Sequence, residues 1–188
     1  MGAYRYIKEN IQKAHALHDD RVKARLTEWR KEKGIVRVER PTNLAKAREL
    51  GYKAKNGVII ARVKIRKGLS KRPKPIRGRK PSKTGRFYAY AKSAQAMAEE
   101  RAARKFTNCE VLNSYFVGED GNFKFYEAIM LDRTNPNVTK DKQLSNALNN
   151  RNRVYRGLTR AGKAHRGLLN KGFGSRNRPS VRSASRSL

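Results

Sequence analysis

Two long stretches of this chain contain no acidic residue, and most of each lacks the apolar content to build a core. One runs from Leu50 to Ala98 and carries fifteen Lys and Arg; the other runs from Lys142 to Leu188 and carries twelve. Together they dominate a chain of 188 residues with a formal net charge of +31. Solubility of a small domain asks for a net charge of only about 2–8. A larger excess repels itself and destabilises the compact state unless a polyanion neutralises it. The charge pattern therefore predicts that the working form is a complex with nucleic acid.

The core must come from short apolar runs. Apolar residues cluster in Gly34–Arg40, Val58–Ile65 and Val111–Leu131. The expected organisation is an α+β module over residues 1–150, interrupted by a basic loop at 67–86 and followed by a basic extension at 151–188. Extensions of low hydrophobicity and high charge order on binding their partner. Cys109 is the only cysteine, so no intramolecular disulfide is possible. No apolar run approaches the roughly 20 residues that span a bilayer. Met1-Gly2-Ala3-Tyr4-Arg5 is not followed by an apolar stretch, and Tyr6 stands where a myristoylation signal needs Ser or Thr. The chain is expected to be soluble and cytosolic, with no membrane partner.

Local patterns give the order of elements. Ile7, Ile11, Ala14, His18, Val22, Leu26 and Trp29 recur at three- and four-residue spacing over Ala3–Lys33. That predicts either one long helix or two, broken near Leu17–Asp20 with Asp19 or Asp20 as a cap. Ile35–Arg40 alternates as a strand, and Thr42 is expected to cap a short helix over Asn43–Leu50 that ends at Gly51. From Gly57 a second strand places Ile59, Ala61, Val63 and Ile65 on one face. Arg62, Lys64 and Arg66 project from the other, about 7 Å apart, close to the spacing of phosphates along a strand. Gly68, Pro73, Pro75, Gly78, Pro81 and Gly85 rule out regular structure over Lys67–Arg86. Ser93–Lys105 reads as a capped helix. Cys109–Val117 and Asn122–Leu131 read as a hairpin around Gly118-Glu119-Asp120-Gly121, and Asn135-Pro136 breaks the exit. Short helices are expected at Lys140–Asn150 and, capped by Thr159, at Thr159–Leu169. The fold class is α+β: a small, mostly antiparallel sheet packed with helices, plus a long basic loop and a C-terminal extension.

Catalytic readings fail on composition. A closed zinc site needs four ligands; Cys109 and His165 lie on other elements than His15 and His18, which could share a helical turn but have no third ligand nearby, so no metal site is expected. Cys109 sits in an apolar strand with no histidine near in sequence, which fits an inert core thiol. The carboxylate pairs Asp19-Asp20 and Glu119-Asp120 suit a helix start and a hairpin turn. Ser114 and Ser145 lack the glycine frame of a nucleophile elbow, and no glycine-rich phosphate loop occurs. Neither an enzyme, a cofactor nor a small-molecule substrate is expected.

Nucleic-acid binding remains. Flexible basic segments broken by Gly and Pro suit folded RNA, which is read by shape, phosphate and 2′-hydroxyl contacts, and stacking. One expected surface comprises Arg62, Lys64, Arg66, Lys67, Lys71, Arg72, Lys74, Arg77, Arg79, Lys80, Lys83 and Arg86. The other comprises Arg151, Arg153, Arg156, Arg160, Lys163, Arg166, Lys171, Arg176 and Arg178. Tyr88, Tyr90, Tyr155 and Phe173 lie in or beside these runs as candidate stacking residues, although tyrosine serves equally to pack a domain. With ~10 phosphate contacts, affinity falls roughly 10³–10⁵-fold between about 50 and 200 mM salt. Two to three times as many cations would make binding close to permanent, which fits a structural component. A DNA-compacting architectural protein would carry similar charge, but no helix-turn-helix pair or minor-groove wedge favours it.

Several segments, in order, resemble one family. They are Met1-Gly2-Ala3-Tyr4-Arg5-Tyr6-Ile7, Arg40-Pro41-Thr42, Lys46–Gly57, Glu99-Glu100-Arg101-Ala102, Val111–Asp120 (Val-Leu-Asn-Ser-Tyr-Phe-Val-Gly-Glu-Asp) and Arg156–Lys163 (Arg-Gly-Leu-Thr-Arg-Ala-Gly-Lys). Together they are similar to large-subunit ribosomal protein fifteen of archaea and eukaryotes, in its shorter, archaeal-type form. The resemblance implies a non-catalytic constituent of the large ribosomal subunit in the cytoplasm. Its partners would be large-subunit rRNA and neighbouring ribosomal proteins. It also implies an α+β core whose extensions thread through rRNA. On the residues themselves, the two basic surfaces are expected to clamp rRNA segments distant in sequence. After Lys171 the likeness is one of composition.

Overall fold

The long N-terminal stripe is broken into two helices. In the computed structural model, which describes residues 2–17, 19–68, 70–73, 76–78, 85, 87–88, 92–166 and 168–169, α1 spans Ala3–Ala16 and α2 spans Asp20–Lys31. Asp19 caps α2, its carboxylate accepting from the Arg21 amide. His18 lies outside the described residues. β1 (Ile35–Val38) follows, then α3 (Leu44–Glu49), β2 (Val58–Arg66), and two two-residue strands, β3 (Ser70–Lys71) and β4 (Phe87–Tyr88). α4 (Ala94–Lys105), β5 (Cys109–Glu119), β6 (Phe123–Asp132), α5 (Pro136–Thr139), α6 (Lys142–Leu148) and α7 (Arg160–His165) complete the order.

The main sheet runs β1-β2-β6-β5 with every pair antiparallel, giving the expected α+β fold. Its two central strands are covered on both sides. Against one face lie α4 and the 154 region: Ala98, Ala102 and Val154 pack on Ala61, Val63, Ile65, Tyr126, Ala128 and Met130. Against the other lie α2 and α3, where Trp29 and Ala47 meet Ile60, Tyr115, Val117, Phe125 and Ile129. Beyond one end, α5 and α6 bury Val138, Leu144 and Ala147 around Leu131. Burying a large apolar side chain contributes about 1.5–3 kcal/mol, so Trp29 alone fixes α2 firmly on the sheet.

Several local expectations are corrected. Asn43, not Thr42, caps α3, its side chain accepting from the Lys46 amide. Thr42 instead directs its amide and hydroxyl at the buried carboxylate of Glu127. The hairpin turn is tighter than Gly118–Gly121, because β5 runs on to Glu119 and Asp120 Oδ1 takes the amides of Asn122 and Phe123. Asn135-Pro136 does not merely break the chain. Asn135 caps and Pro136 starts α5, since a proline lacks only an amide that the first turn leaves unused. The basic loop is not wholly irregular either, for β3 and β4 pair at Ser70↔Tyr88 and Lys71↔Phe87.

The largest difference concerns the segment after residue 150. Expected as an extension, it lies against the core as far as α7. Val154, Thr159 and Ala161 are buried, and Arg153 donates to the carbonyls of Val111 and Leu112 on the outer edge of β5. Its charge hid a short apolar content sufficient for docking. Residues 171–188, expected as the tail, lie outside the described residues.

Candidate nucleic-acid interface

The structure divides the expected basic residues by what holds them. On β2, Arg62 is largely covered and Lys64 half-covered, because both reach the C-terminal end of α2. The Arg62 guanidinium lies 4.3 Å above the Trp29 ring and pairs with Glu32, Nη2 to Oε1 at 2.7 Å, leaving its side chain 11% exposed. Lys64 Nζ donates to the carbonyls of Arg30 and Glu32, the last turn of α2, where a cation satisfies unpaired acceptors and complements the helix dipole. The expected row of three free cations is thus reduced to Arg66. Alternation places side chains on a face; it does not reveal that a helix covers half of that face.

Arg66 ends β2, is exposed, and makes no ion pair among the described residues. Lys67 follows and pairs with Glu119 at 3.0 Å, which with Lys124 holds the Glu119 carboxyl below its ordinary range. Arg72 and Arg77 are exposed, and Arg77 adopts a positive φ of 60°. Of Lys71 only the backbone is described. Lys74, Arg79, Lys80, Lys83 and Arg86 lie outside the described residues, as do Tyr90 and Phe173, and of Tyr88 only the backbone is described.

In the second block, the left-handed turn at Asn152 (φ 57°) divides neighbouring arginines. The Asn152 amide donates to Glu110 Oε1 at 2.7 Å, and Glu110 also binds Arg133. Arg153 turns inward to the β5 carbonyls, where burial lowers its pKa, while Arg151 stays exposed. Arg156 and Arg160 are exposed, and Lys163 and Arg166 are half-buried. Arg166 Nη1 donates to the carbonyls of Arg156 and Gly157. Lys171, Arg176 and Arg178 lie outside the described residues.

The two blocks meet. A groove of about 500 Å³ at the end of β2 is lined by Arg66, Lys67, Lys92 and Lys124, with Glu119. A cleft of about 250 Å³ beside α4 is lined by Lys92, Arg156, His165 and Arg166, with Glu100. Lys92 is a wall of both. It stands immediately before Ser93, the cap of α4, and its ammonium pairs with Glu100 about two turns into the helix. Lys92 and Lys124 were absent from the sequence-based surfaces. The signal for Lys92 was its place beside a helix cap within an acid-free block; nothing in the sequence singled out Lys124.

What fixes the second block beside Lys92 is a buried carboxylate. Glu99 on α4 accepts from Ser114 of β5 and from Thr159, the cap of α7. Burial pushes the Glu99 pKa up, and the two hydroxyl donors oppose that shift. A second buried carboxylate, Glu127, takes Thr42 and the Tyr115 hydroxyl on the opposite side of the sheet. Each oxygen of both carboxylates has an internal donor, which suits structural roles. Cys109 packs half-buried against the α4 layer, with its thiol pKa raised by burial. Among the described residues no three His, Cys, Asp or Glu side chains group as metal ligands. No described helix is long and apolar enough to cross a membrane.

This is a cationic, concave surface on a firmly packed α+β core. The sequence model of the Ribosomal L15 family matches residues 2–185. The chain therefore belongs to the Ribosomal L15 family: it is a large-subunit ribosomal protein, associated with rRNA and other ribosomal proteins.

Proposed function

We propose that this Ribosomal L15 chain, working in cytoplasmic ribosomes without catalysing a reaction, clamps large-subunit rRNA by presenting its two basic blocks as one surface. The observation that carries this reading is the shared wall at Lys92, between the groove of Arg66 and Lys67 and the cleft of Arg156 and Arg166. Segments of rRNA distant in sequence would lie on the two sides, their mutual repulsion screened by the cations between them. The core sets the spacing, because α4 packs on both β2 and β5 and also carries Glu99, which holds α7. The loop cations Lys71, Arg72, Lys74, Arg77, Arg79, Lys80, Lys83 and Arg86 would extend one side. Arg151, Arg160, Lys163, Lys171, Arg176 and Arg178 would extend the other. Arg62, Lys64 and Arg153 serve the fold and reach RNA only indirectly.

The test is charge reversal at Arg66 and Arg156, singly and together, in cells that depend on the variant. Large-subunit yield on sucrose gradients should drop with each change and drop further with both, while the purified variant remains folded. A normal yield with both reversed would overturn the clamp.

A further inference from the structure

We propose that the cleft between α4 and the 154–166 segment seats a single unstacked nucleotide of an RNA strand, its base against Tyr155 and its phosphate on Arg156 and Arg166. This rests on the RNA-binding reading above and gives it a local specificity for single-stranded RNA. The cleft is shaped by the chain and is not left over from loose packing. A Cβ on Gly162 would come within 2.6 Å of Gly157 Cα, so turn and helix touch backbone to backbone, and a Cβ on Gly157 would meet the Arg166 side chain at 2.6 Å, so that side chain lies along the turn. Tyr155 follows the buried Val154 and is 48% exposed, with its hydroxyl 3.5 Å from the Glu100 carbonyl. That contact anchors the edge of the ring at the wall and leaves its surface open for a base.

The charges are arranged for an anion. Arg156 donates to the neutral carbonyl of Arg151 and makes no ion pair among the described residues, so its positive charge is not cancelled. Arg166 is steered into the cleft by the carbonyls of Arg156 and Gly157. The one carboxylate in the wall, Glu100, is neutralised by Lys92 and does not repel a phosphate. An acidic peptide would use the arginines and leave the ring idle. A nucleotide uses both, because it carries a base and a phosphate in one unit. A duplex cannot offer a base face to Tyr155, so the preference is for unpaired RNA.

The experiment measures binding of the full chain to a short single-stranded RNA and to an RNA duplex of equal length, for wild type, Tyr155→Ala, Tyr155→Phe and Arg156→Ala. Tyr155→Ala should weaken single-strand binding roughly tenfold and leave duplex binding unchanged, with Tyr155→Phe close to wild type. Arg156→Ala should weaken both and reduce the salt slope by about 1. A fluorescent purine analogue in the single strand should be quenched by the wild-type protein. That measurement decides the matter should Tyr155→Ala fail to fold. Equal loss for both RNAs, no loss for either, or an unquenched analogue would overturn the nucleotide site while duplex binding persists. If the wild-type chain bound neither RNA, the RNA-binding reading itself would fail.

Discussion

Thr159 donates its hydroxyl to Oε2 of Glu99 across 2.6 Å, joining residues sixty positions apart and docking the second basic block on α4. The same Thr159 oxygen accepts from the Gly162 amide and so starts α7, while the other Glu99 oxygen accepts from Ser114 on β5. One buried carboxylate therefore ties α4, β5 and α7 together. Thr159→Val keeps the shape and removes the hydroxyl. Losing a helix cap costs about 1 kcal/mol, and leaving a buried acceptor without a donor costs a further ~1–3 kcal/mol. Urea unfolding should show a drop in that range, and Thr159→Ser should recover most of it.

Glu99 also sets a pH dependence. Burial raises its folded pKa above the ordinary 4.5, so the folded state binds its proton more readily than the unfolded chain. Its contribution to stability is fully present below pH 4.5 and is lost as pH rises through the folded value. Asp141 has the opposite sign. Lys53 and Lys55 hold its pKa below the ordinary 3.8, so its contribution is lost as pH falls below that value. Stability of Glu99→Gln minus wild type, measured from pH 4.5 upward, should therefore rise with pH. A flat difference would show that Glu99 titrates alike in both states.

Arg62 and Arg66 stand on the same face of β2 and should behave oppositely. Arg62→Ala removes the stacking on Trp29 and the pair with Glu32. It should destabilise the fold by about 1–3 kcal/mol, while the folded fraction binds RNA as before. Arg66→Ala should leave the melting temperature unchanged and weaken RNA binding. Thermal melts and filter binding on the two variants decide between these roles.

Gly162→Ala meets backbone, which cannot rotate away as a side chain can. An overpacked contact of this kind costs about 1–3 kcal/mol, and α7 must move off the Gly157 turn, opening the cleft. Gly2→Ala, with nothing within 4 Å of the added carbon, is the silent control. Melts of both variants read the difference.

Period and capping made much of this fold legible. Alternation at Val58–Arg66, the Ser93 and Thr159 caps, the helix break at Asp19 and the hairpin near Gly118–Gly121 all point to elements the structure contains. What stayed hidden were contacts between elements. Alternation cannot show that Trp29 and Glu32 arrive over Arg62, because the covering helix lies thirty residues earlier in the chain. Charge density likewise concealed that residues 152–165 dock, since only Val154, Thr159, Ala161 and Gly162 of that run are buried. Lys92 escaped notice for a related reason: its role comes from lying between two grooves, which is a property of the tertiary fold.

The most direct measurement places a photo-crosslinking amino acid at position 92 and irradiates intact large subunits purified from cells carrying that variant. Lys92 lies where the two basic blocks converge, so the expected product is a crosslink to large-subunit rRNA. A crosslink only to a neighbouring protein, or none while the variant is present in the subunit, would contradict a shared RNA-binding surface.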